Sequence, residues 1–187
     1  MAQILGADEQ IAGAGFLVGL VLEGLWCPPE DEDVAMIWLS SPPAGVQPLQ
    51  LGAADGCSSH RVRSFGFPAQ APPGGHFGYG TAGDLLSTTV GGRGHLQLTA
   101  ANDLTTGFSG GPVVDEVTGL VIGMLTEITA PDAHHRGLDI AHVTTTLTLR
   151  EICPALALHD VCPYRGLEPF TAEHAHTKAA RTRCARC

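Results

Sequence analysis

The chain has 187 residues, 44% of them hydrophobic and 16% charged, with a formal net charge of −9. This composition describes a globular protein of one domain, or one domain with an appendage, and makes disorder the wrong default. The charge argues against a nucleic-acid groove, because phosphate neutralisation needs clustered Lys and Arg. Here the one lysine is Lys178, and four of the ten basic residues (Lys178, Arg181, Arg183 and Arg186) fall in the last ten positions.

Glycine (24) and proline (13) are abundant and aromatic residues make up only 5%, which favours many short strands joined by tight turns. The opening residues lack a basic region followed by a long apolar one, so no secretory signal is expected. The longest apolar run, residues 16–22, is too short to span a bilayer. A soluble, cytoplasmic protein is therefore expected, with its six cysteines as free thiols. Cys184 and Cys187 have C-x-x-C spacing, but they stand at the extreme end without a second pair or a histidine nearby, a weak metal or redox signal. No metal and no cofactor are expected.

Residues 10–22 read as a strand, a turn at Gly19 and a second strand, with Gly13 and Gly15 letting the first strand bend as a barrel requires. Residues 23–32 form a polar interruption containing Pro28-Pro29. Residues 33–39 read as a buried strand with a carboxylate, Asp33, at its mouth, although Asp33 also reads as one solvated acid in the run Glu30-Asp31-Glu32-Asp33. Residues 40–56 form a Pro- and Gly-rich surface crossing. Residues 61–68 alternate like a half-exposed strand. After a loop at 69–75, residues 77–86 and 94–99 form a strand pair.

Next comes Gly107-Phe108-Ser109-Gly110-Gly111-Pro112, a hydroxyl between glycines. Glycines there allow a tight turn and leave backbone N–H groups beside the oxygen, which suits an acyl-transfer nucleophile. The same residues also make an ordinary flexible turn. Val113-Val114, a turn over 115–119 and residues 120–128 predict a hairpin. Residues 138–143 supply a further strand, and residues 144–152 a terminal helix that its β-branched threonines disfavour.

Taken in order, Gly13-Ala14-Gly15-Phe16-Leu17-Val18, Asp33-Val34-Ala35, Phe65-Gly66-Phe67-Pro68 and Gly107-Phe108-Ser109-Gly110-Gly111-Pro112-Val113 resemble trypsin-like serine proteases of the cytoplasmic bacterial kind. The resemblance covers about residues 1–150 and is strongest over 60–145. It implies an all-β, chymotrypsin-like double β-barrel with an incomplete first barrel, a short C-terminal helix and an irregular tail. The peptidase domain would span 1–152, with a truncated first barrel at 1–56 and the second barrel at 57–152. The expected partner is a peptide or protein substrate, with no nucleic acid and no membrane.

By the same resemblance Ser109 is the nucleophile, the N–H groups of Gly107 and Ser109 form the oxyanion hole, and Asp33 orients a histidine. Asp103 and Thr126 would line the substrate pocket; Asp103 also reads as part of a surface Asn102-Asp103 turn. In secreted relatives the residue before the serine is an aspartate that pairs with a newly cleaved N-terminus. Here it is Phe108, so that route of activation should not apply.

The general-base histidine of the family is missing from its expected place. No histidine lies between Met1 and Asp33, and only 17 residues separate Gly15 from Asp33. The simplest account is an internal deletion that removed the base and part of the first barrel. His60, His76, His95, His134, His135 and His142 read as solvated or structural, and weak or absent peptidase activity is expected. An inactive peptide- or partner-binding module is the alternative.

Finally, Cys162-Pro163-Tyr164-Arg165-Gly166-Leu167-Glu168-Pro169-Phe170 resembles the opening of a STAND-type NTPase module, making 153–187 a linker and the start of a truncated module. The chain has no phosphate-binding G-x-x-x-x-G-K-[ST], so ATP binding is not expected. The basic composition after Ala175 reads either as a frameshifted or truncated end or as a basic tail.

Overall fold

The computed structural model describes residues 2–5, 11–18, 25–28, 31–37, 39–41, 44–69, 72–87, 94–129 and 139–159. The Cys162–Phe170 motif, the C-x-x-C pair, and His134 and His135 lie outside these residues.

The second half of the chain is a closed six-stranded barrel. Strands β6 (Arg61–Gly66), β7 (His76–Ser87) and β8 (Gly94–Thr99) form an antiparallel meander, and β8 pairs with β11 (Ala141–Thr145). From β11 the sheet continues through β10 (Val121–Ile128) and β9 (Pro112–Asp115) back to β6, which closes it. Closure removes the edges that would otherwise recruit other strands. The strand in β6 alternates exposed and buried residues as expected: Arg61 and Arg63 face out, Val62 and Ser64 face in. Leu96, Leu98, Val113, Ile122, Leu125 and Val143 fill the barrel, and Phe108 packs among them.

The first half is fragmentary by comparison. Strands β1 (Ala2–Leu5) and β2 (Ile11–Gly15) form one antiparallel pair, β3 (Leu25–Cys27) and β4 (Val34–Met36) another. Two-residue β5 (Leu51–Gly52) joins β10 in parallel, and β12 (Leu158–His159) adds to β5. Neither β1 nor β3 was expected from the sequence; β3 falls in what read as a polar interruption. The expected buried strand over 33–39 shrinks to β4: Val34 is buried, but Ile37 is 67% exposed and Leu39 also faces out.

A second apolar cluster fastens these fragments to the barrel, with Val34, Leu51 and Val121 packed against Leu149, Cys153 and Leu156 of the C-terminal segment. The expected helix is α1 (Thr146–Ile152). Its preceding threonine, Thr145, is extended and accepts a hydrogen bond from the Thr148 N–H, so one of the threonines that lower helix propensity serves as the N-cap. Among the described residues no helix is long and apolar enough to cross a membrane.

Candidate active site

The Ser109 turn sits between the two halves. Gly107 (φ 105°) and Gly110 (φ 79°) both occupy the left-handed region where a Cβ is strained. A Cβ on Gly107 would lie 2.6 Å from the Pro68 Cα, and one on Gly110 would collide with the Ala14 carbonyl oxygen. Both glycines are thus demanded by backbone approach as well as by φ.

Four of the six backbone hydrogen bonds to residues 107–111 define how the turn is held. Phe108 N–H donates to the Thr105 carbonyl (3.2 Å), Gly111 N–H to the Phe108 carbonyl (2.8 Å), and Gly110 N–H to the Leu125 carbonyl of β10 (2.8 Å). The fourth comes from the first half: Ala14 N–H of β2 donates to the Ser109 carbonyl at 2.8 Å. Beneath the turn, Phe108 is fully buried, lies against Gly66 and Gly78, and has its ring 5.5 Å from the His76 ring. An apolar plug therefore anchors the turn from below. Ser109 itself is exposed. Among the described residues, the N–H groups of Gly107 and Ser109 donate to no protein acceptor.

The remaining expected site residues are less tightly gathered. Thr126 occupies the bulge where the β10–β11 register shifts between Leu125 and Glu127, and its hydroxyl donates to the His142 carbonyl at 3.3 Å. Asp103 is exposed; with Asn102, Thr105, Pro68, His76 and Phe77 it lines an open depression of about 390 Å³. Asp139 also belongs to this side of the barrel. Its carbonyl accepts from Ala101 N–H (3.4 Å), its φ is 54°, and one carboxylate oxygen is buried without a hydrogen-bond partner.

Asp33 is exposed, at φ 51°, in a turn where the N–H groups of Asp31, Glu32 and Asp33 all reach the Pro28 carbonyl. No hydrogen bond or ion pair to its carboxylate occurs among the described residues. The acid that turns inward is its neighbour. Glu32 is buried, with Oε2 3.4 Å from Nε2 of His95 on β8. Four consecutive acidic residues made this choice invisible in the sequence, because only the turn geometry decides which one faces in.

The described histidines nearest the barrel are engaged elsewhere. His60 Nδ1 lies 3.1 Å from Asp115 Oδ1, His142 lies 3.8 Å from Glu127, His95 meets Glu32 and His76 meets Phe108. None hydrogen-bonds Ser109. The His60–Asp115 pair was missed by sequence reading; the signal was Cys57-Ser58-Ser59-His60, a C-x-x-H spacing. Burial first, and then the charge of Asp115 and a hydrogen bond to it, push the Cys57 thiol up to about 12.

A family model described as trypsin-like peptidase domain matches residues 2–124. Among solved structures, the chain is similar to the HtrA-type protease AlgW with decapeptide, with 22% identity and a TM-score of 0.54 over 70% of this chain and 38% of that one. It is also similar to the Rv3671c protease, inactive form, from M. tuberculosis H37Rv, with 20% identity and a TM-score of 0.51 over 72% of this chain and 65% of that one. At these identities the likeness shows the fold, an all-β chymotrypsin-like one with a single short helix. No curated protein matches the chain.

Proposed function

Since the chain belongs to the trypsin-like peptidase domain family, we propose that it is a serine endopeptidase domain in which Ser109 forms the acyl-enzyme, working at a much reduced rate because no histidine activates it. The observation that carries this reading is the Ser109 turn, built on two left-handed glycines with two uncommitted N–H groups beside an exposed hydroxyl. In this mechanism the Ser109 oxygen attacks a peptide carbonyl, and the Gly107 and Ser109 N–H groups take the developing negative charge. The oxyanion pocket contributes without any base, whereas a positioned base contributes about 10²–10⁴-fold. Among the described residues the exposed Asp33 meets no histidine, which supports the lower rate.

On this reading Asp103 and Thr126 would line the substrate pocket, and the acid would favour a basic side chain. The peptide or protein substrate, the cytoplasmic setting and the division into a truncated first barrel (1–56), a second barrel (57–152) and a linker leading towards a STAND-type module (153–187) belong to the same proposal. A second reading, a protease-like module that binds peptides without cleaving them, is favoured by the engagement of His60, His76, His95 and His142 away from Ser109.

A fluorophosphonate probe tests the proposal. Slow labelling of the intact chain is expected, lost in Ser109→Ala and accelerated by added imidazole, which supplies the missing base. Labelling as fast as an active serine protease would overturn the impairment. No labelling even with imidazole would leave the binding module as the correct reading.

A further inference from the structure

Asp115 ends β9 at the opposite end from the Ser109 turn, and its side chain is fully buried. Cys57 and His60 approach it from the turn that enters β6. That turn is tightly wound: Cys57 N–H donates to the Ala54 carbonyl (3.2 Å) and His60 N–H to the Cys57 carbonyl (2.9 Å), with Ser59 left-handed at φ 68°. It is also pinned to β7, since Ser59 N–H donates to the Ala82 carbonyl and Ala82 N–H to the His60 carbonyl. Two side chains spaced C-x-x-H therefore face one carboxylate from a rigid frame.

The distances suit a small cation. His60 Nδ1 lies 3.1 Å from Asp115 Oδ1, and Cys57 Sγ lies 3.7 Å from Asp115 Oδ2. All three donor atoms fall within 4.8 Å of one another. A tetrahedral zinc ion with bonds of about 2.3 Å to sulfur and about 2.0 Å to nitrogen and oxygen would hold these pairs about 3.3 and 3.5 Å apart. The two distances to Asp115 lie within a few tenths of an ångström of those values, and the three donors, within 4.8 Å of one another, would draw together around the ion.

We propose that Cys57 Sγ, His60 Nδ1 and the Asp115 carboxylate form a binding site for a divalent, thiophilic transition metal of the zinc class, separate from the Ser109 turn. Sulfur and imidazole donors select such a metal over magnesium or calcium, which prefer oxygen alone. Charge balances in the buried site: a thiolate and a carboxylate offset the two positive charges, and the imidazole stays neutral. Binding releases the Cys57 proton to solvent. Asp115 is already oriented by outer hydrogen bonds, accepting from Val117 N–H (3.1 Å), Thr118 N–H (3.3 Å) and the Thr118 hydroxyl (2.8 Å), as metal-bound carboxylates are. The fourth position falls to water.

The test uses the full chain, loaded with zinc or cobalt and dialysed. One equivalent of metal is expected, with a thiolate-to-cobalt charge-transfer band and a thermal midpoint that chelator lowers and zinc restores. Cys57→Ser should abolish the band and weaken zinc by more than about 100-fold, and Thr118→Ala, which leaves every donor in place, by about 10-fold. A Cys184→Ser/Cys187→Ser double variant should keep the metal, since those cysteines are not among the proposed ligands. The proposal is overturned if the chain retains no metal, or if the metal survives in Cys57→Ser and vanishes in the double variant. Because the unsubstituted chain gives the band directly, a variant that misfolds does not remove the test.

Discussion

Phe108 takes the place next to Ser109 and points into the barrel, fully buried against Gly66, Gly78 and the His76 ring. Its packing replaces any charged anchor for the turn. Truncation to alanine would remove a whole ring from a dense core, and Phe108→Ala should cost about 3–5 kcal/mol of unfolding free energy, read from urea titration. Gly110→Ala acts from the other side of the same turn. The added methyl meets the Ala14 carbonyl oxygen at a left-handed φ, and a loss of about 1–3 kcal/mol is expected in the same measurement. At this scale the Ser109 turn was legible because Gly-x-Ser-Gly-Gly specifies backbone shape. Asp33 and Glu32 were not distinguishable, because both are acids in one run and their difference arises from a turn on the Pro28 carbonyl.

Helix α1 owes its start to Thr145, whose hydroxyl caps the Thr148 N–H at 3.3 Å. Thr145→Ala should lower stability by about 1 kcal/mol, and Thr145→Ser should recover most of it, as thermal midpoints would show. The strands of the second barrel were legible for a related reason: β6 alternates, and β9 and β10 flank a turn with polar residues and Gly119 (φ 73°) at its end. Strands β3 and β4 are three residues each, too short for a period of two to emerge, and β5 is shorter still. Their existence depends on what they pack against. The bulge at Thr126 was equally invisible, since an unpaired residue leaves no mark on a run of apolar neighbours.

Across the molecule, stability should be unevenly spread. The barrel closes on itself, whereas among the described residues β1 pairs only with β2 and β3 only with β4. Native-state hydrogen exchange should therefore show β6–β11 amides opening only with global unfolding, and β1–β4 amides opening earlier. Uniform protection across both halves would contradict this. A pH dependence follows from Cys57 when chelator keeps the protein metal-free. Unfolded thiols ionise near 9, and burial raises this one to about 12, so the unfolded state gives up its proton first. The contribution is complete below pH 9 and is lost as pH rises towards about 12. Urea midpoints below and within that window should fall more steeply for the native chain than for Cys57→Ala.

The bond from Ala14 N–H to the Ser109 carbonyl joins the β1–β2 pair to the exposed Ser109 turn. Detaching the β1–β2 pair withdraws a donor from the turn, so an anion bound at the Gly107 and Ser109 amides would be linked to docking of the N-terminal hairpin. The coupling free energy is equal in both directions. An anion held by the Gly107 and Ser109 amides would slow exchange at Ala14, and a partner that clasps the hairpin would tighten the pocket by the same factor.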